Sequence, residues 1–187
     1  MWTSKASILV LALVATACSG PAKQVLLTST APELRIRPIV ASVEIRDLSL
    51  PRYAASDDLV VLGEDGVVET VTNTVWADTP ERSITLSLAT NLGAITGARV
   101  ASEPWPFSTS PEAQVVVTVT RLLGQPGGQL QFTGQYAISA VASSISDRSG
   151  SFNIVVPVEG TGPDALARAQ GAAISQLSEI IARRLAR

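Results

Sequence analysis

Cys18 is the one thiol in the 187-residue chain, and no histidine accompanies it. Nucleophilic catalysis by serine or cysteine needs a nearby base, and the imidazole that usually serves is missing, so neither a Ser-His-Asp nor a Cys-His system can be assembled. A structural zinc site loses its usual ligands for the same reason. Carboxylates, arginines, hydroxyls and the phenols of Tyr53 and Tyr136 remain. Paired carboxylates could hold a hard cation or cleave a glycoside. The acidic pairs Asp57-Asp58 and Glu64-Asp65, however, sit in stretches that read as turns. Glu64-Asp65-Gly66 separates the apolar runs 59–62 and 67–68, where a hairpin wants Asp and Gly for backbone reasons. The sequence therefore predicts a protein that is not an enzyme and needs neither a cofactor nor a metal.

The surroundings of Cys18 suggest a different use for its thiol. Met1 to Lys5 carry positive charge, and residues 6–15 follow without any charged side chain. About ten apolar residues rise only about 15 Å as a helix, half the thickness of a bilayer core, which marks a cleaved signal rather than a lasting span. Ala15-Thr16-Ala17-Cys18 resembles the lipobox of bacterial lipoproteins, with Ala15 where leucine is commoner. In such proteins the thiol takes a diacylglyceryl group and becomes the new amino terminus. The other reading is a plain periplasmic protein with a cysteine beside its cleavage site. Several acyl chains on one residue meet the requirement for stable anchoring. Ser19, rather than aspartate, resembles the signal that sends a lipoprotein to the outer membrane, facing the periplasm. Residues 1–17 are thus expected to be the signal peptide and residues 18–37, rich in Ser, Thr, Pro and Ala, the lipidated N-terminus and tether. Within the tether, Val25-Leu26-Leu27 could dock as a short strand.

Residues 38–187 are then expected to be one domain. Of 14 basic residues only Lys5 lies in the leader, so the mature chain keeps 13 against 16 acidic ones, about −3 net. Nothing offers the clustered positive charge that nucleic acid demands. The run 38–46 reads as a strand, 59–62 and 67–75 as a hairpin, and Thr79-Pro80-Glu81 as a helix start with threonine as N-cap. Ile84, Leu88, Leu92 and Ile95 recur at spacings of four, four and three, giving one apolar stripe that Gly97 ends. Runs 115–123 and 129–141, joined by Gln125-Pro126-Gly127-Gly128, read as the centre of a sheet, with a further strand at 150–158. A second amphipathic helix begins near Asp164. Arg183, Arg184 and Arg187 near its end suit the macrodipole, or contact lipid headgroups. The expected fold is α+β: a two-layer domain, a mostly antiparallel β-sheet with two amphipathic helices packed on one face.

Leu50-Pro51-Arg52-Tyr53, Val75-Trp76-Ala77 leading into a helix, Asn91-Leu92, Arg99-Val100, Pro104-Trp105-Pro106, a long strand ending Thr120-Arg121-Leu122, and Gly127-Gly128 follow one another in this order. Together they resemble the ABC-type transport auxiliary lipoprotein family, which includes the paraquat-inducible protein C type subunit of membrane-integrity transporters. The resemblance spans roughly residues 25–185. It implies a non-enzymatic outer-membrane lipoprotein serving an envelope transport system whose other parts are an inner-membrane permease and a substrate-binding MCE protein. Two further readings are a periplasmic lipid-binding carrier and an assembly factor for an outer-membrane complex. Sheet edges and an uncovered face leave room for a homo-oligomer. Tyr53, Trp76 and Trp105 are the candidate partner or ligand contacts, because aromatic side chains dominate interface energetics. Core packing is the alternative for each.

Overall fold

The computed structural model describes residues 21–186; the expected signal peptide and Cys18 lie outside them. Among the described residues the chain forms eight strands and two helices: four strands, a helix, four strands, a helix. The longest strands are β6 (Ala113–Gly124) and β7 (Gln129–Ala140), antiparallel through the expected turn, and β8 (Arg148–Pro157) continues the antiparallel order. In β6 the unbroken β-branched run splits by period two: Val115, Val117 and Val119 are buried, while Val116, Thr118 and Thr120 face out. A register shift between Val119 and Arg121 places two outward residues in succession, after which Leu122 points inward again.

The sheet is mixed. Strand β2 (Ser42–Ile45) runs parallel to β6 on one side and to β5 (Arg99–Ser102) on the other, giving the order β5-β2-β6-β7-β8. The sequence reading did not include β5, whose four residues are too few to show a period. The hairpin of β3 (Asp58–Leu62) and β4 (Val68–Trp76) forms as expected, but in a second sheet of its own. Its third strand is β1 (Lys23–Val25), parallel to β4.

Both helices, α1 (Pro80–Thr96) and α2 (Pro163–Leu185), pack on one face of the large sheet and on each other. Ile84, Leu88, Leu92, Ile174, Leu177 and Ile181 are sealed against Phe132, Ile138 and Ile154. Gly97 ends α1 in the left-handed conformation, φ 69°, its N–H bonded to Gly93 O. At the other end Thr79 occupies the N-cap position without a side-chain capping bond. Asp78 takes over locally: its carboxylate accepts the Thr79 N–H at 2.9 Å and pairs with Arg82. The opposite face of the sheet carries Gln131, Gln135, Thr118, Thr120, Ser151 and Asn153, with Val116 and Val155 exposed among them, a mostly polar cover that water can solvate.

The described part of the expected tether is docked. After β1 the chain crosses the helical layer, where Leu27, Leu34 and Ile36 pack against the core. Gly171 permits the crossing, since a Cβ there would lie 1.6 Å from Thr28 O. The strap then satisfies carbonyls at both helix ends: Ile36 N–H donates to Ile95 O and Ile39 N–H to Leu185 O, each at 2.9 Å.

Candidate functional site: the aromatic side chains and their surroundings

Tyr53 lies in the turn after Pro51, whose carbonyl accepts the N–H groups of Ala54 and Ala55. Its ring is half-buried, and its hydroxyl accepts the Leu122 N–H at 3.2 Å, just past the irregularity in β6. A bulge leaves backbone groups outside the ladder, so the phenol supplies a partner the neighbouring strand does not. Trp76 ends β4, its N–H bonded to Asp57 O at 2.7 Å. The structure brings these two aromatics to one cavity, walled also by Leu122, Leu130, Leu166 and Gln170. Its volume of about 30 Å³ suits one water and is far below the hundreds of Å³ that a lipid-sized ligand fills.

Trp105 is elsewhere, in the loop after β5. Its indole Nε1–H donates to Thr109 O at 2.6 Å, and its ring meets Phe107 edge-on with centroids 4.9 Å apart. The Arg99 guanidinium stacks 4.9 Å from the Phe107 centroid. Phe107 is 42% exposed, more than any of the three aromatics singled out from sequence. Sequence reasoning missed Phe107 and Arg99 as a pair. The run Pro104-Trp105-Pro106-Phe107 was the available signal, because alternating prolines hold aromatics in a loop that cannot turn inward as a strand.

The carboxylates do backbone work. Asp65 accepts the Val67 N–H at 3.0 Å across the hairpin turn, where Gly66 adopts φ 81°. Glu112 accepts the Ala41 N–H at 2.8 Å, and Asp147 the Ala140 N–H at 3.0 Å. Among the described residues no three acidic or sulfur side chains converge as metal ligands. One carboxyl is shifted: the hydrogen bond from Arg168, on the next turn of α2, holds Asp164 below the ordinary carboxylate range. The pair is exposed and lies at the helix N-terminus, where negative charge is favoured. Nor is any described helix long and apolar enough to cross a membrane.

The fold has relatives among solved structures. A crystal structure titled only as an uncharacterized protein superposes with a TM-score of 0.67 at 21% identity, covering 83% of this chain and 99% of its own. A Xanthomonas campestris protein of family DUF330 gives a TM-score of 0.65 at 18% identity, covering 88% of this chain and 95% of its own. At these identities the likeness concerns the fold. A search of curated protein sequences finds no match. The model of one family matches residues 26–182, from the strap to the last turns of α2. The chain belongs to the family of ABC-type transport auxiliary lipoprotein components.

Proposed function

We propose that the protein is a non-enzymatic accessory subunit of an MCE-type intermembrane lipid transport system, anchored through lipidated Cys18 to the periplasmic face of the outer membrane. The match of the auxiliary-lipoprotein family across the folded body carries the reading. The lipobox-like sequence supports its anchoring part, and the missing imidazole supports its non-enzymatic part. Its partners would be the MCE protein and the inner-membrane permease of the same system, with self-association through free sheet edges as a further option. The carrier alternative finds little support in the Tyr53–Trp76 cavity, which is too small for an acyl chain.

The deciding experiment is purification of the full-length protein from detergent-extracted membranes, with the accompanying proteins and lipids identified. The expected result is an MCE protein and a permease. Stoichiometric lipid without either protein would replace this reading by the carrier. A deletion strain with unchanged outer-membrane lipid composition and detergent resistance would also count against it.

A further inference from the structure

We propose that the end of the molecule carrying Arg37, Ile39, Arg99, Phe107 and Val141 is a docking face for an acidic, partly apolar segment of a partner protein. These residues are scattered in sequence and meet where β2, β5 and β6 begin and β7 ends. Arg99 N–H donates to Ala41 O at 2.9 Å, Ala41 N–H to Glu112 Oε2 at 2.8 Å, and Val141 N–H to Glu112 O at 3.0 Å. Beside them an open depression of about 520 Å³ runs between residues 37–41 and 96–98. Ile39, Phe107 and Val141 are 49%, 42% and 50% exposed at this one end. The aromatic part is held before any partner arrives, since Trp105 is fixed through Thr109 and braces Phe107, so little side-chain freedom remains to be lost on binding.

Charge selects the partner. Among the described residues, no carboxylate lies within ion-pair distance of Arg37 or Arg99; Glu112 and Asp147, which accept the Ala41 and Ala140 N–H groups, keep their negative charge at this end without pairing either guanidinium. Arg148 and Arg184 are nearby but engaged, the first on the Arg184 carbonyl and the second on the Tyr136 hydroxyl. The opposite end is acidic. There Glu64, Asp65 and Glu69 of the β3–β4 hairpin line one hollow with Gln125 and Pro126 of the β6–β7 turn, and Glu159 and Asp164 lie next along the chain. Charges of opposite sign are thus separated along the strand direction in a chain of net charge −2. A partner presenting carboxylates around an apolar side chain is complementary to the unpaired Arg37 and Arg99 and is repelled by the acidic end.

The path of the N-terminus favours a protein over a bilayer as that partner, an argument that rests on the lipid-anchor reading. Strand β1 is parallel to β4, so the chain enters it from the side of the acidic hairpin. Cys18 precedes Lys23 by five residues, a chain length that spans at most about 18 Å. The strap meets α2 at Gly171, whereas Ile39 seals α2 at Leu185, about 21 Å of helix further on. On the lipid-anchor reading, so short a connection ties the bilayer to the β1 side of the body rather than to the arginine and phenylalanine end.

The test is photo-crosslinking of the full-length protein in its membranes, with benzoylphenylalanine in place of Phe107 and, as a control on the polar sheet face, of Val155. The expected result is a protein adduct at 107 and none at 155, with the contact mapped by peptide mass spectrometry to an acidic segment. Arg99→Glu should lower the yield about tenfold while leaving the thermal melt unchanged. Lipid adducts alone at 107, no adduct, or a yield indifferent to Arg99→Glu would overturn the proposal. An Arg99-dependent adduct with a protein from outside any transport system would keep the docking face and remove the transport reading. Co-purifying transport subunits with no adduct at 107 would do the reverse.

Discussion

Tyr53 presents its hydroxyl to a backbone amide at a strand irregularity, which gives a residue chosen as a partner contact a measurable internal task. Tyr53→Phe keeps the ring and removes the acceptor, leaving the Leu122 N–H without its partner. The expected loss is about 1 kcal/mol of unfolding free energy in urea, and an unchanged midpoint would sink the assignment. Asp164 offers a second test at this scale. Because Arg168 stabilises the charged form, the folded carboxyl titrates below its unfolded value. Its contribution is therefore complete above the unfolded pKa and lost as pH falls through the folded one. In NMR titrations the Asp164 carboxyl should move upward in Arg168→Ala, and added salt should shrink the difference, as befits an exposed pair. Both side chains were visible in the sequence. Their partners were not, because Leu122 lies far along the chain from Tyr53, and no periodicity encodes that pairing.

At the scale of elements, local pattern located most strands and both helices. The stripe Ile84, Leu88, Leu92, Ile95 is buried as its spacing predicts, and the runs around Val117 and Phe132 form the sheet centre. The strap was harder to read. Ser, Thr and Pro suggest a solvated tether, yet Leu27, Leu34 and Ile36 are spaced to fall one at a time into the helical layer. Gly171 makes this testable. Gly171→Ala puts a methyl where Thr28 O now lies, so the strap must lift or the helix must shift. Limited proteolysis should then cut within residues 21–36 much faster than in the parent protein, with a melting temperature lower by several degrees. An identical digestion pattern would show that the strap is not held there.

For the whole molecule, the proposed lipid anchor at Cys18 is the variable to test. Cys18→Ser removes the proposed acylation site, which lies outside the described residues. The variant should leave the membrane fraction for the soluble periplasm and melt at the parent temperature, a split that fractionation and calorimetry read separately. Retention in the membrane after the substitution would mean that the body binds there through its own surface. The mostly polar outer face of the large sheet argues against that route, since its Gln, Thr, Ser and Asn side chains outnumber the exposed Val116 and Val155 and lose hydrogen bonds to water in an apolar phase.

Composition and short-range periodicity sufficed for both helices, every strand but β5, the apolar faces they bury and the chemistry left out by the missing imidazole. The family resemblance was also legible, in the order of short motifs from Tyr53 to Gly128. Only the packed chain could show that β2 runs parallel between β5 and β6, that β1 pairs with β4 in a separate sheet, and that Arg99 stacks on Phe107. Those arrangements join residues distant along the chain. An amphipathic pattern states that a face will be covered, and only the packed fold selects which distant segment covers it.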